Sequence, residues 1–249
     1  MPSMRRLRGY DRTQILEEAA RARARRKRGR AIDLYRWVLS MEPQNVALHA
    51  KLAPLLAEAG ESFDAWVSFR TAARACLREG LTDKALAIYQ EAALYVPLEH
   101  QAWQAVAQLQ RKRGRNREAL ETLLEGSRRF RTRWLRPYAI YLLRRAREID
   151  PWDFESVLEL ASLLSVSGQR HEARLLLDEL TERAAGHRLR DVRAAQLRLD
   201  PGLLSVWRWL RALIRPDSLL PPEPRVVGSE VVPLRTRAIR RLAAPGGGG

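Results

Sequence analysis

Four prolines recur along the chain at nearly equal distances, and this spacing constrains the fold more than any other feature. Pro43, Pro97, Pro151 and Pro201 give successive intervals of 54, 54 and 50, and each follows a segment whose apolar residues have helical spacing. Proline cannot continue the hydrogen bonding of a helix, so it is typical of the connection after a helix end. A period of this length indicates a repeat protein, in which each unit buries its apolar face by stacking on the next.

The units between these prolines align residue by residue. Residues 44–97 and 98–151 align without gaps, and residues 152–201 are shorter by four around Ala185-Gly186. Shared positions include an apolar–alanine pair and a later glycine: Leu52-Ala53 with Gly60, Val106-Ala107 with Gly114, and Leu160-Ala161 with Gly168. Apolar residues recur at spacings of 3, 4 and 7, which is typical of an amphipathic helix. We therefore predict three helices per unit, and burial of Ala53, Ala107 and Ala161.

Strand-forming residues are sparse, so we predict an all-α protein. The expected helices span 12–28, 31–41, 46–59, 62–79, 82–95, 100–113, 116–130, 135–148, 153–167, 170–184, 187–199 and 203–214. This gives three segments: a basic N-terminal extension at 1–11, a helical repeat domain at 12–214, and a Pro/Gly-rich tail at 215–249. The tail lacks the apolar content that ordering requires, so we expect it to be disordered.

The repeated residues resemble tetratricopeptide repeats (TPR), including those of bacterial TPR scaffold proteins. Two stretches carry the pattern most fully: Phe69, Ala72-Ala73, Gly80, Ala85, Tyr89, Ala92 and Pro97 in one, and Trp103, Val106-Ala107, Gly114, Ala119 and Leu123 in the other. The resemblance implies a right-handed α-solenoid of antiparallel helices that binds peptides or proteins without catalysing a reaction. The family's usual unit has two helices and about 34 residues, whereas this chain has a three-helix period, so chain direction should reverse from unit to unit.

The positive charge is concentrated in blocks. The chain has a net charge of +16, and the segments 1–30 and 111–150 each contribute +8. Only four of the 45 basic residues are lysine, and such an arginine excess often reflects coding bias, so abundance alone is weak evidence for nucleic acid. The run Arg21–Arg28 predicts either a continuous basic helix or the polar side of a capping helix.

The block at 111–136 interleaves arginine with aromatic residues and is the candidate partner-binding surface. Its proposed contacts are Arg111, Arg113, Arg115, Arg129, Arg133 and Trp134. Arginine with aromatics can bind an acidic peptide or grip phosphates and stack on bases, and it can also form only a solvated helix end. All three interpretations stay open at this point. The family's carboxylate clamp is absent, because its positions are occupied by residues such as Gln104 and Gln108.

No motif predicts a reaction. The chain lacks a Gly-rich phosphate loop, a His-Glu-x-x-His sequence and paired cysteines, and its four histidines lie at no ligand spacing. Cys76 occupies a small-residue position of a repeat helix, which favours a buried role. Trp103 and Trp207 are expected to pack between helices, whereas the setting of Trp134 stays open. We predict no catalytic, cofactor or metal-binding residue.

These features predict a non-catalytic scaffold that binds protein or peptide partners, with acidic partners favoured by the basic blocks. The alternative is a helical repeat that binds nucleic acid through the arginine blocks, which would require phosphate contacts on one continuous face. No segment approaches the ~20 apolar residues of a membrane span, and the N-terminus lacks the apolar region of a secretory signal. A cytoplasmic location is therefore the expectation.

Overall fold

The computed structural model describes residues 11–214, and the predictions made for 1–10 and 215–249 lie outside them. The described residues form twelve α-helices and no strand. The helices are α1 Arg12–Ala24, α2 Arg28–Met41, α3 Val46–Glu58, α4 Ser62–Arg78, α5 Thr82–Tyr95, α6 His100–Lys112, α7 Asn116–Ser127, α8 Arg136–Ile149, α9 Phe154–Val166, α10 Arg170–Arg183, α11 Gly186–Leu199 and α12 Leu203–Ile214. The all-α prediction is confirmed over these residues, while the right-handed twist stays a prediction.

Five helix ends share one turn, in which a residue with positive φ follows the helix. The residues are Arg26, Gly60, Gly80, Gly114 and Gly168. At Gly60, for example, the next amide (Glu61 N–H) donates to Leu56 O at 2.9 Å and the glycine amide donates to Ala57 O at 3.1 Å. These two bonds define a Schellman motif, which satisfies carbonyls that the helix end leaves free. The interval from Arg26 to Gly60 equals that from Gly80 to Gly114, and both match the length of a two-helix repeat, so the shorter spacing is present inside the longer period.

The prolines lie in the other class of connection, as predicted. Pro43, Pro97, Pro151 and Pro201 all lie between helices. The helix after three of them starts at a side-chain cap: Asn45 and Asp153 accept from the amides three residues on, and Glu99 accepts from Gln101 N–H. Asn and Asp are favoured there because their oxygens satisfy otherwise unpaired amides. The caps recur at the same interval as the prolines, so the period is built into the helix starts as well as the helix ends.

The basic run Arg21–Arg28 does not form a continuous helix. Helix α1 ends at Ala24, Arg26 adopts φ 56°, and α2 starts at Arg28. The interpretation as one basic helix is therefore wrong. The chain makes the same turn here as at the four glycines, because α2 must fold back to bury Ile32 and Tyr35 against its neighbours.

Replacing Arg26 with glycine is expected to stabilise the fold by about 0.5–1 kcal/mol. A left-handed residue with a Cβ costs roughly 1–2 kcal/mol, and the extra freedom of glycine in the unfolded chain offsets part of the gain. Urea unfolding followed by circular dichroism measures the difference. The control is Arg25→Gly, at φ −84°, which should not stabilise. A destabilised Arg26→Gly variant would contradict the role assigned to this turn.

Consecutive helices run antiparallel, because they pack together and are joined by connections of two to eight residues. The connections therefore alternate between two edges of the stack. The upper edge is defined as the one that holds the connections α1–α2, α3–α4, α5–α6, α7–α8, α9–α10 and α11–α12. The lower edge holds the other connections. Pro43 and Pro151 lie at the lower edge and Pro97 at the upper edge. The predicted reversal of direction from unit to unit is thus present.

The three-helix unit is also visible in the packing. The first and third helices contact each other in α3–α5, in α6–α8 and in α9–α11, with the middle helix packed on both. Ala53, Ala107 and Ala161 are buried, as predicted. Small residues at these points let the helices approach closely, so a longer side chain would overpack the contact.

The core runs along the stack and stops before its last helix. One group of buried apolar residues extends from α1 to α8 and a second from α7 to α11, and Leu163 contacts both. Helix α12 contributes no buried residue. Trp103 is buried as predicted, whereas Trp207 is more than half exposed, so the prediction for Trp207 is wrong. Among the described residues no helix follows α12 to cover its apolar side, although its residue pattern matches that of an interior helix.

Candidate functional site

The arginine block at 111–136 is divided between the two edges of the stack. Arg111, Arg113 and Arg115 lie at the α6–α7 turn on the lower edge, whereas Arg129, Arg133 and Trp134 lie in the α7–α8 connection on the upper edge. The twelve residues of α7 separate the groups, a distance of about 18 Å at 1.5 Å per residue. The predicted contacts therefore form two separate groups.

The lower-edge group is largely neutralised by carboxylates. Arg113 approaches Asp83 to 2.5 Å and is only 21% exposed, and Arg115 lies 3.5 Å from Glu118. Both ion pairs reduce the field that the arginines present to a ligand. Arg111 lines an open cleft of about 120 Å³ together with Gln104, Gln108, Arg145 and Glu148.

The upper-edge group contains the most exposed aromatic side chain of the block. Trp134 is 85% exposed and adjoins Arg133, which has no hydrogen bond or ion pair within residues 11–214. Arg129 is paired with Glu125 at 2.9 Å and lies 6.0 Å from the centre of the Trp103 ring. Arg133 and Trp134 therefore combine a free cation and a free aromatic face on one connection. We call them, with Arg129, the Trp134 site.

The connection that carries the Trp134 site is anchored by the buried side chain of Phe130. Phe130 is fully buried, and its ring centre lies 5.8 Å from that of Tyr138. Tyr138 in turn stacks on His100 at 4.6 Å. Phe130 is one of the aromatic residues that interleave with the arginines of the block, and it is thus an anchor and not a free surface. The anchor role is not evident from sequence, since Phe130 and Trp134 occur in the same arginine-rich stretch.

Arg128 ties the same connection to the next unit. It forms ion pairs with Glu155, in α9, and with Glu159 one turn further on, at 3.8 Å. Burial raises the pKa of Glu159, while the charge of Arg128 opposes that rise. The contact joins two different repeat units, so no local spacing could have predicted it. It fixes the end of the connection and leaves the Arg133–Trp134 part exposed.

Acidification should destabilise the support beneath the Trp134 site through His100. Burial lowers the pKa of His100, although Glu99 opposes the change. The unfolded chain therefore takes up the proton first, so the stability from neutral His100 is full above about pH 6.5 and is lost as pH falls below it. Urea unfolding at pH 7.5 and 5.5 should show a smaller loss for His100→Gln than for the wild type. His171→Gln, at an exposed histidine, should behave like the wild type, and equal losses in all three proteins would contradict the prediction.

The N-terminal basic turn does not join the Trp134 site into one groove. Arg23, Arg26 and Arg28 lie at the upper edge, where Arg28 pairs with Glu58 at 2.8 Å. The α3–α4 turn follows on this edge, and its Glu61 and nearby Asp64 bind Arg36. Carboxylates thus interrupt the positive charge between the two arginine groups.

No group of three metal-ligating side chains occurs within residues 11–214, and Cys76 is buried. No described helix has the length and apolar character needed to cross a membrane.

The solved structures that this chain is similar to are helical repeat proteins. No protein-family model matches the chain, and no curated protein sequence does. Among solved structures it is similar to the kinesin light chain TPR-like repeats of Podosopora anserina, with 20% identity, coverage of 81% of this chain and 100% of that chain, and a TM-score of 0.37. A tetratricopeptide repeat protein from Parabacteroides merdae shows 14% identity, coverage of 81% and 90%, and a TM-score of 0.26. YrrB, described as a TPR protein with an unusual peptide-binding site, shows 13% identity, coverage of 81% and 92%, and a TM-score of 0.27.

The geometry of the chain itself describes the fold: packed antiparallel helix pairs, repeated Schellman turns, and pairs of turns separated by the length of one two-helix repeat. Residues 11–214 therefore fold as an array of antiparallel helices with TPR-like spacing.

Proposed function

We propose that the chain is a non-catalytic scaffold that binds an acidic protein or peptide segment at the Trp134 site. The observation that carries the proposal is the 85% exposure of Trp134 beside the unpaired Arg133. Tryptophan and arginine are the side chains most often found at the energetic centre of protein interfaces. Their position on a connection anchored by buried Phe130 means that little order has to be gained on binding.

The chemistry of the site favours an acidic partner. Arg129 is paired with Glu125 within the chain, so the free cation of the site is Arg133. Its guanidinium can bind a carboxylate with two parallel hydrogen bonds. The lower-edge group, Arg111 with Arg113 and Arg115, is proposed as a second and weaker contact, because two of its three cations are paired within the chain.

The nucleic-acid alternative has less support. A phosphate backbone requires several arginines along one track, whereas the block is divided between two edges about 18 Å apart. Paired carboxylates also interrupt the positive charge along the upper edge. One free tryptophan gives a single stacking position, while a single-stranded nucleic acid uses several.

Affinity selection from a displayed peptide library tests the proposal, with the full chain as bait. We expect the recovered peptides to be enriched in Asp and Glu. Trp134→Ala combined with Arg129→Gln and Arg133→Gln should weaken their binding by at least about 30-fold, the equivalent of one interface hot spot. Helicity and melting should hardly change, because exposed side chains usually affect stability by less than about 0.5 kcal/mol.

Two matched controls locate the effect. Arg111→Gln with Arg113→Gln and Arg115→Gln tests the lower edge and should weaken binding less. A variant with five exposed arginines outside the block changed to Gln should bind normally: Arg25, Arg74, Arg78, Arg170 and Arg174. Peptides without acidic residues, or equal binding by the Trp134-site variant, would refute the proposal. A Kd below about 10⁻⁷ M for DNA or RNA at physiological salt, lost in that variant, would assign the site to nucleic acid.

A further inference from the structure

Helix α12 ends the described array with an uncovered apolar stripe. Ser205, Trp209 and Ala212 are its partly buried residues and face α11. The other apolar side chains are 38–91% exposed, and six of them fall within an arc of roughly 120° at 3.6 residues per turn: Leu203, Val206, Trp207, Leu210, Leu213 and Ile214. An exposed apolar surface of this continuity marks a contact with another molecule or with a membrane.

The surroundings of the stripe are strongly positive. Residues 186–214 contain six arginines and two aspartates, a net charge of +4, and α12 itself has no acidic residue. Of the two aspartates, Asp200 is paired with Arg174. Arg190, Arg198 and Arg208 have neither a hydrogen bond nor an ion pair among the described residues. The cations here are largely unneutralised, unlike those of the lower-edge group.

Three of these arginines converge beside the stripe. Arg193, Arg208 and Arg211 line an open cleft of about 340 Å³ with Leu189, Trp207 and Ala212. Arg193 donates to the side-chain oxygen of Gln196 at 2.7 Å, and partial burial together with the charge of Arg208 lowers its pKa. Arg211 lies over the Trp207 ring at 5.2 Å. The cleft therefore holds several positive charges, which an oxyanion would compensate.

We propose that α12 and this arginine cleft dock the protein on an anionic phospholipid membrane surface. The stripe would enter the boundary between headgroups and acyl chains, and Arg193, Arg208 and Arg211 would contact lipid phosphates. With twelve residues and a length of about 18 Å, α12 is too short to span a bilayer and suits an in-plane position. Arginines beside a stripe that contains tryptophan are typical of such interfacial helices.

Charge distinguishes a membrane from the other possible occupants of the stripe. A second copy would bring a region of net charge +4 against the same region, and residues 215–249 carry six arginines against three acidic residues. Both occupants would add positive charge to an already positive surface. An anionic bilayer supplies the opposite charge and an apolar phase together, along the exposed side of α12.

Vesicle flotation with the full chain tests the proposal. We expect binding to vesicles of phosphatidylcholine and phosphatidylglycerol at 7:3, and little binding to phosphatidylcholine alone. Arg208→Gln with Arg211→Gln should weaken partition about 25-fold, from roughly fivefold per arginine near an anionic surface. Leu210→Asp should weaken it at least about tenfold by placing a charge in the stripe.

Two control variants should bind vesicles as the wild type does. One is Phe63→Asp, at a residue of α4 that is 75% exposed. The other is Arg78→Gln combined with Arg170→Gln. Since α12 contributes no buried residue, the α12 variants should keep wild-type circular dichroism spectra and melting.

A depth-sensitive readout separates insertion from simple charge attraction. Brominated acyl chains should quench tryptophan fluorescence in the wild type and in Trp134→Phe, and quench it less in Trp207→Phe. Inorganic phosphate, added at constant ionic strength, competes with the lipid headgroups for the arginine cleft. It should reduce vesicle binding only partly, because the apolar stripe still enters the membrane. Complete displacement of the protein from vesicles by phosphate would refute docking.

Four further results would overturn the proposal. The first is equal binding to neutral and anionic vesicles. The second is retained binding by Leu210→Asp. The third is self-association in sedimentation velocity that Leu210→Asp abolishes, which would make a second copy the occupant. The fourth is a wild-type protein that does not bind vesicles but binds an acidic amphipathic peptide through α12, which would make a protein helix the occupant of the stripe.

Discussion

Replacing Trp103 with alanine is expected to lower the free energy of unfolding by about 3–5 kcal/mol, the usual range for a buried aromatic side chain. Trp103 is buried in α6 against α7, and its Nε1–H donates to the Pro97 carbonyl at 3.0 Å. The change therefore removes packing between two helices and leaves a carbonyl of the α5–α6 connection without its partner. Urea unfolding followed by far-ultraviolet circular dichroism gives the measurement.

Gly126 provides a second way to test the same contact. A Cβ built there would lie 2.8 Å from Trp103 Cγ, closer than real Cβ contacts allow. Gly126→Ala should therefore destabilise the wild type by about 1–3 kcal/mol. In the Trp103→Ala background that penalty should largely disappear, because the ring is no longer there. Additive effects in this double-mutant cycle would mean that the close approach is not what limits position 126.

The second large effect is expected at Phe130, where alanine should also cost about 3–5 kcal/mol. Phe130 is fully buried under the α7–α8 connection and contacts the Tyr138 ring. Its loss should also loosen the connection that carries Trp134, so amide exchange across residues 128–135 should accelerate in the native state. Urea unfolding and hydrogen exchange measure the two effects separately.

Trp134→Ala is the matched control for Phe130→Ala, since both change a large aromatic in one connection. Trp134 is 85% exposed, so its replacement should alter stability by less than about 0.5 kcal/mol. Comparable destabilisation by the two variants would mean that the division between anchor and exposed site is wrong.

The helices could be predicted closely because their ends are chemically marked. Proline and left-handed glycine both act within a few residues, so Pro97, Gly114 and Gly168 are sufficient to place the helix ends near them. The buried alanines could be predicted for a related reason, since a small residue recurring at a fixed place in a helix marks a close approach. These signals are local or strictly periodic, and a single sequence contains them.

Features that depend on the three-dimensional neighbourhood could not be predicted in this way. Arg26 makes the turn that glycine makes elsewhere, and arginine gives no sign of a positive φ. Trp207 occurs in a pattern like that of Trp103, yet only the position of α12 at the end of the described array leaves it exposed. Arg113 is neutralised by Asp83, which lies in α5, while Arg193 and Arg208 meet from different helices. The sequence therefore predicts which arginines belong to the block, but not which of them share one surface.

The three-helix unit makes the array sensitive to the parity of its repeats. Because each unit reverses the chain, adding one three-helix unit would move every downstream connection to the opposite edge. The Trp134 site and the N-terminal basic turn would then face away from each other. Adding two units, or one helix pair, would keep them on the same edge. Duplication or deletion of helices between the two sites therefore keeps them on the same edge only when the number of helices gained or lost is even.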